Sequence, residues 1–427
     1  MLFGHVLSVH FLIVQSPSLI SHKNPRSLFI KTNCEVERMF KYLFISLSIF
    51  FSSVLQAVEV SGRVGAQGRL FFDDNSFQNS LLLEPEFYWA SSSGDDAFTL
   101  KLFGRIDDAD NERSHGDIRE ALWLHVGDTW EFRAGIGKVY WGVTESNHLV
   151  DIINQTDLVE SVDGEQKLGQ PLLQFTTIQD WGVLDAFVLP GFRERTFPSA
   201  DAHLSGLLPI ETDAVFYQHS REQKHIDYSL RYSHAIDVFD IGVSYFLGTN
   251  RDPHLVSSAS ADGQIVLRPY YDQISQLGID VQATVGDWLW KLEAIRRDDS
   301  VHDFGAVTAG FEYTWVGIGN SVVDMGLLSE VSRDSRNDQA PTPSERDIFV
   351  GARFTFNDIQ STDLLVGYSQ ALNYSDSYSA IIEGSRRLGD VWKLTVDVRL
   401  FHSDRELDPV YQFNDDDYAS LSLEYFF

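Results

Sequence analysis

From residue 58 onward the chain repeats one pattern: apolar and polar residues alternate strictly, over runs of roughly 8 to 15 residues. In VEVSGRVGAQGRLFF, Val58, Val60, Gly62, Val64, Ala66, Gly68, Leu70 and Phe72 share one face, and Glu59, Ser61, Arg63, Gln67 and Arg69 share the other. The same alternation runs through FTLKLFGRID, WEFRAGIG, IDYSLRYS, FDIGVSYFLG, LGIDVQAT, AVTAGFEYTW, DIFVGARFTF and VWKLTVDVRLF. A period of two places side chains on opposite faces of a strand and rules out amphipathic helices. Strands of this length exceed the five or six residues usual in soluble sheets. They match the roughly 9 to 11 tilted residues that cross a bilayer.

An all-β chain of this kind can be a propeller, a sandwich or a membrane barrel. A propeller repeats a signature about every 40 residues, and none recurs here. A sandwich buries its apolar face against a second sheet, whereas a membrane barrel turns it toward lipid and keeps polar residues around a watery lumen. On that reading Arg63, Lys101, Arg105, Arg133, Arg231, Arg353 and Arg399 face inward. An export signal favours the barrel. From Met39 the sequence reads MFKYLFISLSIFFSSVLQAVEV, with basic Lys41, an apolar run Tyr42–Phe51 and small residues leading to Ala57. Residues 1–38 are then an upstream extension, 39–57 a cleaved signal peptide and 58–427 the barrel. The only cysteine, Cys34, falls in the removed part. The formal charge of -29 excludes nucleic acid as a partner.

Connections alternate in length. Short ones include GDT at 127–129, GD at 286–287 and GD at 389–390, and long acidic ones include 139–169, 191–224 and 249–270. Membrane barrels pair short periplasmic turns with long outside loops. A first pass gives nineteen strands, including AVFYQHS near 214–220. Strand direction, counted from both ends, leaves room only for a loop at 191–224, so the expected fold is a transmembrane antiparallel β-barrel of 18 strands (16–20). Trp130, Trp181, Trp288, Trp290, Trp315 and Trp392 all fall near the short turns, as an interfacial aromatic girdle requires.

The chain ends in YASLSLEYFF. This resembles the C-terminal strand of Gram-negative outer-membrane β-barrels, of porin-like type, in which a terminal Phe and alternating apolar residues form the assembly signal. Here these are Leu421, Leu423, Tyr425 and Phe427. The resemblance implies insertion by the barrel assembly machinery and contact with outer-membrane lipids and lipopolysaccharide. A homotrimer is left open.

No HExxH, GxSxG or metal-type His/Cys set is present, so no catalytic residue, metal or cofactor is assigned and the chain is not expected to be an enzyme. GIGKVYWG at 135–142 lacks the Lys-Ser/Thr ending of a phosphate loop, and its glycines leave room for something folded inward. The segment 139–171 is too apolar for a free outside loop, since Leu149, Val150, Ile152, Ile153, Leu158 and Val159 alternate with acids. A short helix or bent segment with an acidic face fits it. It is expected to enter the lumen, with Asp151, Asp157, Glu160 and Asp163 facing wall cations Arg63, Arg69, Lys101, Arg105, Arg119 and Arg133 across a constricted aqueous gap. Arg193 and Arg195 in LPGFRERTFP are candidate anion contacts, or partners of nearby acids or lipopolysaccharide phosphates. The expected function is a passive porin-like channel for small hydrophilic solutes. The rivals are a barrel enzyme acting on lipid or peptide, with His115, Asp107 and Asp108 as its only local candidates, and a non-conducting structural or adhesion barrel.

Overall fold

A computed structural model describes residues 58–301, 303–342 and 345–427. The upstream extension and the signal peptide lie outside the described residues.

Eighteen strands form one sheet, each antiparallel to its neighbours. In chain order they are β1 Glu59–Phe71, β2 Phe77–Ala90, β3 Asp96–Asp107, β4 Gly116–Val126, β5 Trp130–Gly137, β6 Gln170–Gln179, β7 Gly182–Pro190, β8 Ile226–Ile236 and β9 Phe239–Thr249. They continue with β10 Gln273–Val285, β11 Trp288–Asp298, β12 Asp303–Trp315, β13 Asp324–Asp334, β14 Asp347–Thr355, β15 Asp363–Ala371, β16 Ser377–Leu388, β17 Trp392–Ser403 and β18 Tyr418–Phe426. The sheet closes on itself. Arg63 through Phe71 of β1 pair with Phe426 back to Tyr418 of β18. Gly62 and Phe427 exchange both backbone hydrogen bonds at 3.1 Å. Closure leaves no strand edge open, which is what a sheet in lipid requires. Leu421 and Phe427 stand exposed on the outside of this seam.

The burial pattern inverts that of a soluble protein. Leu81, Ile106, Tyr245, Leu247, Leu277 and Leu421 are exposed, while Arg105, Gln174, Asp280, Lys291, Glu293 and Glu330 are buried. A sandwich would hide the first set and expose the second. Here the apolar face points outward around the closed sheet and the polar face points in, the arrangement of a transmembrane barrel. All six Trp of the expected girdle are exposed, at the short-turn end. Neighbouring rings there pair, as in Trp288 with Trp290 at 5.5 Å and Trp392 with Tyr425 at 5.0 Å.

One bulge alters the inner face. Lys101 pairs with Glu120 and Leu102 with Ile118, so Arg119 is the extra residue on β4. An inserted residue re-aims its side chain. Arg119 is buried in the lumen as a result, although Ile118 beside it is exposed to the outside.

The strand read near 214–220 is real but minute. Phe216–Tyr217 adds parallel to Tyr270–Tyr271, beside a hairpin of His254–Ala259 and Ile265–Tyr271, and forms a three-stranded sheet separate from the barrel wall. Residues 191–225 are therefore a loop, as strand direction demands, yet the loop does not stay clear of the mouth. Its Leu204 is buried with Phe71 of β1 and Tyr418 of β18. His203 stacks on Phe71 at 3.7 Å and contacts Asp416 at 2.8 Å.

Candidate functional site

The link between β5 and β6, residues 138–169, folds into the barrel. The physical reason lies in which inner-wall residues are apolar. Leu172 of β6, Phe187 and Leu189 of β7, Phe246 of β9, Ile274 of β10, Ile295 of β11 and Phe304 of β12 point inward as a greasy patch. Trp141, Val150, Ile152 and Ile153 of the loop bury themselves against it. Val150 and Ile153 retain 0% exposure. Gly278 on β10 makes room, since a Cβ there would lie 3.2 Å from Val150 Cγ1 and 2.7 Å from Ser244 Oγ. The role expected for Gly135 is corrected by this: a Cβ at Gly135 would strike the Ala121 carbonyl of the adjacent strand at 2.0 Å, so that glycine serves strand packing. The expected helix is also absent. Among the described residues the segment is bends and turns, with single bridges Thr156–Lys167 and Asp157–Thr196. Packing on a patch of the wall does not need a periodic face.

Two buried carboxylates of the wall pin the loop. Glu293 on β11 accepts from Val143 N (2.7 Å), Thr144 N (3.0 Å), Thr144 Oγ1 (2.7 Å) and Val150 N (3.1 Å). Gly142, at φ +124°, passes close over Glu293 Oε1, where a Cβ would come within 2.7 Å. Glu330 on β13 accepts from Glu145 N and Ser146 N, both at 2.8 Å, and from Ser146 Oγ at 2.7 Å. Glu145 then reaches Arg353 of β14 at 2.6 Å. Sequence reading missed both anchors. Their signal was an acid at an inward position of a strand, between outward Leu292 and Ala294 for Glu293 and between Ser329 and Val331 for Glu330.

The acids and cations named from sequence meet only in part. Arg119 and Asp157 pair at 2.6 Å with Asp157 wholly buried, and Thr196 Oγ1 donates to the same carboxylate. Arg105 pairs with Glu160 at 2.8 Å, and His115 contacts Glu160 at 3.1 Å. Asp151 lies 3.4 Å from Lys167, within the loop itself. Asp163 reaches across to Arg399 of β17 at 2.8 Å, and that guanidinium also holds Glu383 and Asp397. Arg63 instead binds Glu84 and Glu424, Lys101 binds Glu86, and Arg133 binds Glu131, all within the wall. Arg69 donates to Gln78 at 3.2 Å and lies over the Tyr418 ring. The picture of loop acids facing six wall cations across water is corrected accordingly. Where Arg105 and Arg119 meet Glu160 and Asp157 there is direct contact, and three of the other cations find nearer acids. Arg193 and Arg195 are occupied too, by Asp117 at 2.8 Å and Asp252 at 2.5 Å. Among the rival's candidates, Asp107 binds buried Arg113 and Asp108 caps Asn79, so neither faces His115, which contacts Glu160.

Open space lies beyond the pinned loop, in two cavities that meet at Asn147, His148 and Thr342. The first, about 560 Å³, runs toward β11–β13 and is lined by Lys167, Arg195, Arg251, Arg297 and Arg336 with Asp151, Asp252 and Asp334. The second, about 620 Å³, follows β14–β17 and is lined by Glu145, Asp163, Glu165, Asp347 and Glu383 with Arg399. One chamber is thus rich in guanidinium and the other in carboxylate. His148 stands between them, 2.9 Å from Glu165. That hydrogen bond outweighs burial and pushes the imidazole up to about 8. Burial alone would raise Glu165, but His148 holds it below its ordinary value.

No family model matches the sequence, and no curated protein matches it. Solved structures share the barrel. Salmonella typhi OmpF in complex with daunomycin has 10% identity and a TM-score of 0.43, over 87% of this chain and 97% of that one. A mutant of the Rh. blastica porin has 11% identity and a TM-score of 0.39, over 87% and 100%. OmpT, an outer membrane protein of Vibrio cholerae in its trimer form, has 9% identity and a TM-score of 0.42, over 87% and 99%. The fold assignment rests on the closed strand pairing and the inverted burial of this chain itself.

Proposed function

We propose that the protein is an outer-membrane channel for small hydrophilic solutes and that its route follows the β14–β17 wall. The observation that carries this reading is the division of the lumen. Apolar packing of residues 149–153 seals the loop to β6–β12, and the carboxylate-lined cavity remains beside β14–β17. Five carboxylates there face Arg399 and His148, so the route prefers cations over anions. The guanidinium-lined chamber on the other side sets a field across the mouth, which orders water and favours polar over apolar solutes. The exposed aromatic girdle supports placement in a bilayer, with outer-membrane lipids as its surroundings.

The test is reconstitution of the purified protein into planar bilayers. The expected result is stepwise conductance with a reversal potential, under a salt gradient, of cation-selective sign. Liposome swelling with small sugars checks passage of uncharged solutes. A protein that inserts and yet passes neither ions nor sugars would make this a structural barrel.

A further inference from the structure

We infer that His254, Asp272 and Asp299 form a binding site for a divalent transition-metal ion at the outside rim of the barrel. The three residues come from different segments: His254 opens the hairpin after β9, Asp272 immediately precedes β10, and Asp299 immediately follows β11. Strand pairing brings the ends of these elements together. Their donor atoms all lie within 4.8 Å of one another.

The spacing is that of ligands around an ion. Zinc bonds to nitrogen and oxygen are about 2.0–2.2 Å, which gives a tetrahedral ligand-to-ligand edge of about 3.3–3.6 Å. His254 Nε2 lies 3.4 Å from Asp272 Oδ2 and 3.8 Å from Asp299 Oδ2. That nitrogen is sealed from solvent and makes no hydrogen bond. The two carboxylates are themselves hidden, at 0% and 1% side-chain exposure. Asp272 and Asp299 each turn one carboxylate oxygen toward that nitrogen. The guanidinium of Arg336 is held by its own carboxylate, Asp334, through bonds of 2.6 to 3.2 Å. The carboxylate of Asp272 is fixed in orientation by Asn250 Nδ2 at 3.0 Å and by the backbone and hydroxyl of Ser300, both at 2.8 Å. Such outer contacts are typical of metal ligands.

One imidazole with two carboxylates suits zinc or a neighbouring transition ion better than calcium, which prefers six or more oxygens. A bound ion would clamp the two roots of the hairpin His254–Tyr271 to the rim, beside the guanidinium-lined chamber that His254 also lines. The competing arrangement is a protonated His254 paired directly with Asp272.

The experiment is calorimetric titration of the full-length barrel in detergent with Zn²⁺ alone. One equivalent is expected to bind, and His254→Ala is expected to weaken binding by more than about tenfold, the loss that outer-contact changes alone can cause. Asp299→Asn serves as the second variant, with strand content by circular dichroism showing that each variant is folded. Zn²⁺ is also expected to slow chymotryptic cleavage at exposed Leu255 in the hairpin, and Ca²⁺ is expected to do neither. Absence of Zn²⁺ binding, or binding that His254→Ala leaves unchanged, overturns the site in favour of the imidazolium. Neither result depends on whether the barrel conducts.

Discussion

The two halves of the lumen are built from the same pleated wall and end up unlike each other. Toward β6–β12 the inner face carries Leu172, Phe187, Leu189, Phe246 and Ile295, and the loop from β5 docks there as it would in a soluble core. Along β14–β17 the inner face mixes Phe349, Leu365, Ile381 and Phe401 with Ser369, Ser379, Glu383 and Arg399, the apolar loop residues 149–153 pack on the other wall instead, and a cavity remains. The contrast teaches that in a wide barrel the loop finds its place by the hydrophobic effect and the open cavity is the part of the lumen left over. Ion pairs then set the details. Arg105 with Glu160 and Arg119 with Asp157 close one side, and Asp163 with Arg399 reaches the other.

The largest expected effect comes from erasing that difference. Changing Ile152 and Ile153 together to Ala removes fully buried methylenes, at about 2–5 kcal/mol per site. The loop should leave its seat, and single-channel conductance should rise severalfold with added noise. An unchanged conductance would mean that the apolar side does not hold the loop.

Next in size is removal of an anchor. Glu293→Ala strands Val143 N, Thr144 N and Val150 N, which all donate to that carboxylate. Hydrogen bonds to charged groups contribute roughly 1.5–3 kcal/mol each. Rapid flicker between conductance levels is the expected signature in bilayer recordings, and Glu293→Gln should retain part of the quiet behaviour.

A smaller effect should follow from altering the open side without moving the loop. Glu383→Gln removes one carboxylate of the β14–β17 cavity. Cation preference should fall, read as a reversal potential closer to zero, while thermal stability changes by less than about 1 kcal/mol, as for other partly exposed pairs.

The smallest effect concerns His148 between the chambers. Its pKa is raised to about 8 above an unfolded value near 6.5. Its contribution is therefore complete below about pH 6.5 and is lost as pH rises through about 8. Going from pH 7 to pH 9 should make the mouth more negative and raise cation selectivity modestly, and His148→Gln should abolish that step.

Much of this architecture is readable in the residues. The long alternating runs, the short turns at one end and the aromatic residues beside them carry the barrel and its strand number, because a period of two with one apolar face has few ways to satisfy every backbone group in lipid. The inward path of 139–171 is also legible, in Ile152 and Ile153. What stays hidden is pairing. Arg63 and Lys101 look like any inward cation in the sequence, yet each stands beside a nearer acid on the neighbouring strand. Arg119 points where it does because of a bulge that only the register reveals.

By itself, then, the order of residues determined a closed sheet with a greasy outside and a charged inside, since each strand states its own two faces locally. The tertiary structure alone decided where the loop sits, which carboxylates hold it and which part of the lumen stays open. Those outcomes depend on residues such as Val150 and Gly278, or Glu145 and Arg353, that are far apart in the chain. Strand closure brings them within a few ångströms, and no local pattern records that proximity.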